Sequence, residues 1–137
     1  VGNHSHTHSN LFGVFSAARV RGELEKTNAI IEQVAGKRAL FFRPPFGVTN
    51  PNIAKAVAKT GHYVIGWDNR SLDTVIKEEV KILERVERRV APGGIILLHD
   101  TSLKTVHVLE QLLLFLESKN YKAITIDKLL KLPAYEN

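Results

Sequence analysis

The chain has 137 residues, 44% of them apolar and 24% charged, enough for one domain with a core of its own. No run approaches the roughly eighteen consecutive apolar residues of a membrane helix, so no membrane span is expected. Cysteine is absent, which excludes disulfides, thiolate nucleophiles and cysteine-held zinc and leaves any metal to histidine and carboxylate.

The chain opens on VGNHSHTHSN, a polar, histidine-rich stretch with none of the apolar character of a secretory leader. Leu24, Thr27, Ile31 and Val34 then follow the three-to-four spacing of one helical face. Ala39–Phe42 (ALFF) is a short, continuously apolar run of strand length. Asn50-Pro51 is a capping residue followed by proline in the first turn, so a helix should start there. Tyr63–Trp67 (YVIGW) is a second strand candidate.

The next helix carries Ile82, Leu83 and Val86, and Ala91-Pro92-Gly93-Gly94 ends it. Its EEVKILERVERR stretch mixes both signs of charge, and basic residues elsewhere are scattered without interleaved aromatics. The net charge of +5 is therefore read as a solvated surface; no nucleic-acid partner is expected, although attraction to an acidic polymer is compatible with it. Ile95–Leu98 (IILL) and Ala123–Ile126 (AITI) are the third and fourth strand candidates. Between them Leu109, Leu112, Leu113 and Leu116 mark a helical face. Short apolar strands alternating with helices predict an α/β fold with a parallel sheet or a barrel. No repeat or linker divides the chain, so a single domain over residues 1–137 is expected.

Polar clusters follow the strands, which is where parallel α/β folds build their sites. His4-Ser5-His6-Thr7-His8 places two imidazoles four residues apart. They can share one metal ion if the segment turns tightly, but a solvated polar terminus fits the spacing equally well. Arg43-Pro44-Pro45-Phe46-Gly47 follows ALFF, and its prolines would hold Arg43 rigidly; a plain turn accounts for the same residues. Trp67-Asp68-Asn69-Arg70-Ser71-Leu72-Asp73-Thr74 follows YVIGW, and Leu98-His99-Asp100 closes IILL. A histidine beside a carboxylate on a neighbouring strand end can serve as a general acid, whereas a lone histidine there is more often a structural group. GxSxG, HExxH, GxGxxG and a complete phosphate-binding loop are missing, so serine-hydrolase, zincin and nucleotide chemistry have no motif.

Taken in order, these clusters resemble motifs two to five of the NodB-type polysaccharide deacetylases, carbohydrate esterase family four, over essentially the whole chain. His4-Ser5-His6-Thr7-His8 is similar to the H-[ST]-x-x-H motif, which implies that His4 and His8 are metal ligands and that His6 is not. Arg43-Pro44-Pro45-Phe46 resembles R-x-P-[YF], implying that Arg43 orients the catalytic base and that the Phe46 N–H helps hold the oxyanion. Ser71-Leu72-Asp73 looks like the fourth motif, whose carboxylate tunes the catalytic histidine; where the family commonly has tryptophan next, this chain has Thr74. Leu97-Leu98-His99 is similar to the fifth, in which the leucine lines the acetyl pocket and the histidine is the general acid.

The resemblance implies an incomplete irregular (β/α) barrel. It implies removal of N-acetyl groups from an amino-sugar polymer such as chitin or peptidoglycan. The catalytic candidates are His99, Asp73 and Arg43, the metal ligands His4 and His8, and the substrate-binding residues Phe46, Leu97 and Trp67. The cofactor implied is a divalent metal, zinc foremost, with cobalt, nickel or iron as alternatives. The first family motif, usually T-F-D-D-G-P, has no counterpart here. The domain is thus expected to be truncated at its N-terminal side, weak in metal, inactive by itself and prone to self-association through an exposed N-terminal edge. Other expectations compatible with the motifs are a cyclic-imide hydrolase, an acetyl-xylan esterase and a non-catalytic carbohydrate-binding remnant.

Overall fold

The computed structural model describes residues 1–136. The chain forms two compact units, one of Val1–Gly66 with the C-terminal segment from Ile126, the other of Trp67–Thr125.

In the first unit, α1 (Ala17–Ala35) is capped at its start by Ser16, whose side chain accepts from the Arg19 N–H. Gly36 ends it at φ 67°, a left-handed conformation in which glycine carries no Cβ penalty. The helix α2 (Pro51–Thr60) starts where the Asn50-Pro51 signal placed it: the Asn50 side chain accepts the Ile53 N–H at 3.0 Å and Pro51 occupies the first turn. The strands β1 (Phe41–Phe42) and β2 (Tyr63–Val64) pair in parallel, Phe41 opposite Tyr63.

On the other side of β1, the Asn3 N–H bonds to Phe41 O at 2.7 Å and the Arg43 N–H bonds to Asn3 O at 2.9 Å. The histidine segment therefore leaves directly from a strand edge. Phe12, Phe15, Val20, Leu24, Phe42, Ile53 and Ala56 form the core. Phe42 is fully buried there, and truncating it would cost about 3–5 kcal/mol. A short helix, α5 (Ile126–Leu130), and an antiparallel bridge between Ala39 and Tyr135 bring the C-terminal segment onto this unit.

The second unit pairs β3 (Asn69–Arg70) with β4 (Ile96–Leu97) in parallel, Asn69 opposite Ile96 and Arg70 opposite Leu97. The helices α3 (Glu79–Glu87) and α4 (Leu103–Ser118) pack on each other. Ile82, Val86, Leu97, Val108 and Leu112 are its buried apolar residues. The buried Asn69 amide donates to Val86 O at 2.9 Å, pinning β3 to the end of α3.

The α/β class and the parallel pairing agree with expectation, but the strands are two residues each, and among the described residues no barrel closes. Ala123–Ile126 is not a strand. Ala123–Thr125 is exposed and irregular, and Ile126 opens α5, with Asp127 in its first turn and Lys128 in its last. The YVIGW strand is only Tyr63–Val64, whose side chains are 40% and 42% exposed rather than buried. Val34 also faces solvent, because the buried stripe of α1 runs Val20, Leu24, Asn28, Ile31. In α4 the buried face is Thr105, Val108 and Leu112, and Leu109 and Leu113 lie outside it. The buried face thus includes one polar residue, Thr105, beside Val108 and Leu112.

Candidate active site

In the first unit, residues 3–8 form a tight turn rather than a helix, with Ser5 at φ 67° and His8 at φ 46°. Such left-handed conformations cost non-glycine residues energy and persist only when neighbours enforce them. Here the enforcement is visible. The Asn3 side chain accepts the Ser5 N–H at 3.0 Å, and Ser5 Oγ accepts the His8 N–H at 3.1 Å. Glu23, on α1 and only 7% exposed, accepts from the His6 N–H, the Thr7 N–H and the Thr7 hydroxyl through one oxygen. Burial alone would raise the Glu23 pKa, but these bonds to its anion hold it below the ordinary carboxylate value. Asn3 also donates to Leu24 O at 2.9 Å and to Asn28 Oδ1 at 2.8 Å, and Asn28 donates to Ala39 O. One face of α1 thus holds both the turn and the strand edge it leaves.

The turn brings the His4 and His8 rings together, centroids 4.8 Å apart and edge to face. His4 Nδ1 lies 2.6 Å from Arg43 O. A carbonyl only accepts, so Nδ1 carries the proton and Nε2 keeps its lone pair, the arrangement typical of metal-bound imidazoles. The donor chemistry therefore suits a divalent cation. Catalytic zinc takes three protein ligands, and among the described residues no group of three His, Cys, Asp or Glu gathers. His6 joins the turn through its backbone N–H.

Arg43 is half-buried, and burial lowers its pKa; its guanidinium donates to Ile65 O and Gly66 O, each at 3.3 Å. Phe46 sits at φ 58°, ψ 8° in the turn Pro45–Gly47, 56% exposed, with its ring edge to face against His8 at 5.0 Å. The two-proline turn thus sets an aromatic beside the histidine pair.

The second unit holds the other candidates. Asp73 follows β3 and is 2% exposed. Its Oδ1 accepts from His99 Nδ1 at 2.8 Å and from the Ser71 hydroxyl at 2.9 Å. Its Oδ2 accepts the His99 backbone N–H at 2.7 Å and the Thr105 hydroxyl at 3.0 Å. Burial would raise the Asp73 pKa; the bonds from His99, Ser71 and Thr105 outweigh it and hold the carboxylate below its ordinary value. An ionised Asp73 is acceptor only, so His99 Nδ1 is the donor and Nε2 is left for other partners. The His99 side chain is 38% exposed, so solvent reaches the ring.

Leu97 is buried at β4, and Trp67 is half-buried beside Asp68, whose Oδ1 accepts the Ile95 N–H at 2.6 Å. Thr74 is exposed. Arg43, Phe46, His4 and His8 belong to the first unit; Asp73, His99, Leu97 and Trp67 belong to the second. Glu23, Asn3, Asn28, Ser71 and Thr105 were not anticipated from sequence. Only Ser71 lay within a motif.

A family model described as polysaccharide deacetylase matches residues 1–65. Peptidoglycan-N-acetylmuramic acid deacetylase PdaA of Bacillus subtilis is 28% identical over 134 residues, 95% of this chain and 51% of that protein. Among solved structures, a CE4 family pseudoenzyme from Bacillus anthracis superposes with a TM-score of 0.87 at 34% identity, covering 95% of this chain and 46% of the other. The peptidoglycan deacetylase PdaC of Bacillus subtilis gives a TM-score of 0.87 at 27% identity over 96% of this chain and 63% of that one. The chain spans about half the length of the curated relatives it matches, 51% of PdaA and 47% of the peptidoglycan-N-acetylglucosamine deacetylase of Bacillus cereus.

Proposed function

The chain belongs to the polysaccharide deacetylase family of the NodB type, and from that premise we propose that the protein containing it is a metal-dependent hydrolase of N-acetyl groups on an amino-sugar polymer, peptidoglycan or chitin-like. One observation supports this above the others: a buried carboxylate, Asp73, grips both the backbone and the ring of a solvent-reachable histidine, His99.

In the first unit His4, through Nε2, and His8 would hold a divalent cation, zinc foremost. When bound, such a cation polarises the acetyl carbonyl and lowers the pKa of water. The Phe46 N–H offers a donor for the developing oxyanion, and Arg43 would orient the catalytic base. In the second unit Asp73 keeps His99 Nδ1 as a donor, so the proton passed to the departing amine leaves from Nε2. Leu97 and Trp67 would contact the acetylated sugar.

The test is acetate release by the full-length protein from N-acetylated chitooligosaccharides and from peptidoglycan. Release that stops on chelation and returns with zinc is expected; no release with zinc present overturns the proposal. A second function, a non-catalytic carbohydrate-binding domain, is favoured by the likeness to the Bacillus anthracis pseudoenzyme. It predicts glycan binding without acetate release.

A further inference from the structure

We propose that Thr105 is a positioning residue for the Asp73–His99 pair, fixing the rotation of the carboxylate from the first turn of α4. This rests on the acid role given above to His99, but its geometry stands by itself. Asp73 lies in a loop rather than a strand, after Leu72, which is held at φ 59°, so no regular element in its own segment sets the carboxylate.

A carboxylate that faces a ring nitrogen with one oxygen and a backbone N–H with the other must be held in a single χ2 setting. The bonds from His99 cannot do this alone, because they belong to the residue being oriented. Ser71 belongs to the same segment as Asp73 and moves with it. Among the described residues, Thr105 is the one hydrogen-bond partner of the carboxylate on a separate, regular element. It is 5% exposed and shares the buried face of α4 with Val108 and Leu112. Lys104, its neighbour, donates to Ile76 O and ties the same loop to the same turn of helix. The groups bonded to Asp73 are therefore His99 from the end of β4, Ser71 from its own loop and Thr105 from α4.

Thr105→Val removes the hydroxyl and keeps the shape, and Thr105→Ser keeps the hydroxyl. Carboxyl-carbon NMR titration of Asp73 in the 137-residue chain reads the carboxylate directly, and the His99 Nδ1 proton resonance reads its grip on the ring. Losing one charge-assisted donor in a buried setting should raise the Asp73 titration midpoint by roughly one pH unit, and Thr105→Ser should restore it. The Nδ1 proton signal should broaden or vanish in Thr105→Val and return in Thr105→Ser. An unchanged midpoint and an unchanged Nδ1 signal in a folded Thr105→Val chain overturn the proposal, as does failure of Thr105→Ser to rescue. If Thr105→Val does not fold, Thr105→Ala is measured against the same two outcomes. These readings need no turnover, so a protein that releases no acetate but shows the shift refutes the deacetylase function while leaving this positioning role standing.

Discussion

His62 should make the first unit acid-labile. It is 6% exposed; its Nδ1 lies 2.8 Å from Thr60 Oγ1, and its buried Nε2 has no hydrogen-bond partner among the described residues. Burial, helped by the charge of Arg38, pushes its pKa from the ordinary 6.5 down to about 4. The neutral ring is therefore the native form, and the unfolded chain binds the proton first. Stability contributed by the neutral ring is complete above pH 6.5 and drains away as pH falls towards 4. At about 1.4 kcal/mol per pH unit, the full loss is roughly 3 kcal/mol, and roughly 2 kcal/mol is gone by pH 5.

His62→Phe keeps a ring beside Phe42 and Thr60 but cannot titrate. Native-state exchange of the Tyr63 and Ile65 amides, bonded to Leu40 O at 2.7 Å and Phe42 O at 2.8 Å, reports on this unit alone. Between pH 7 and pH 5 the opening free energy of the natural chain should fall by roughly 2 kcal/mol more than that of His62→Phe. The remaining histidines are common to both proteins and cancel. Parallel pH dependence in the two proteins would refute the reasoning.

Two further predictions concern the first unit. Glu23→Ala removes the acceptor for the His6 and Thr7 amides, so zinc affinity, measured by competition with a chromophoric chelator, should fall about tenfold or more, with His4→Ala as the reference for a lost ligand; affinity equal to that of the natural chain would show that the turn needs no clamp. The chain should also self-associate at the strand edge occupied by Asn3, where a single residue pairs with β1; light scattering that reports a monodisperse monomer at high concentration contradicts this.

The parts of the fold legible in the sequence were those with a local signature. ALFF and IILL stand out because both are continuously apolar, and Asn50-Pro51 announces its helix through cap and proline together. The clusters after the strands were legible for the same reason: His4 and His8 are four residues apart, and Asp73 and His99 each close an ordered motif. The polar strand Asn69–Arg70 had no apolar pattern to betray it, because it is held by the Asn69 side chain on α3 and by pairing with β4. AITI matched a strand by composition but lacks a partner ladder among the described residues, and Ile126 joins the helix that follows.

Glu23 and Thr105 were invisible because each is a single polar residue within a helix. Glu23 reads as one more solvated charge until the turn 16 residues earlier folds onto it, and Thr105 reads as a helix-surface hydroxyl until Asp73, 32 residues away, arrives. Supporting residues of this kind are defined by tertiary contact, and spacing carries no trace of them.

The deacetylase chemistry itself is tested most directly by acetate release from an N-acetylated amino-sugar polymer by the full-length protein, comparing His99→Ala with His107→Ala. His107 is an exposed residue of α4 paired with Glu79, away from Asp73 in the hydrogen-bond network, and so controls for loss of an imidazole from the same unit. His99→Ala should lower the rate by on the order of a hundredfold or more, with His107→Ala unchanged. Equal rates in the natural protein and His99→Ala would contradict this.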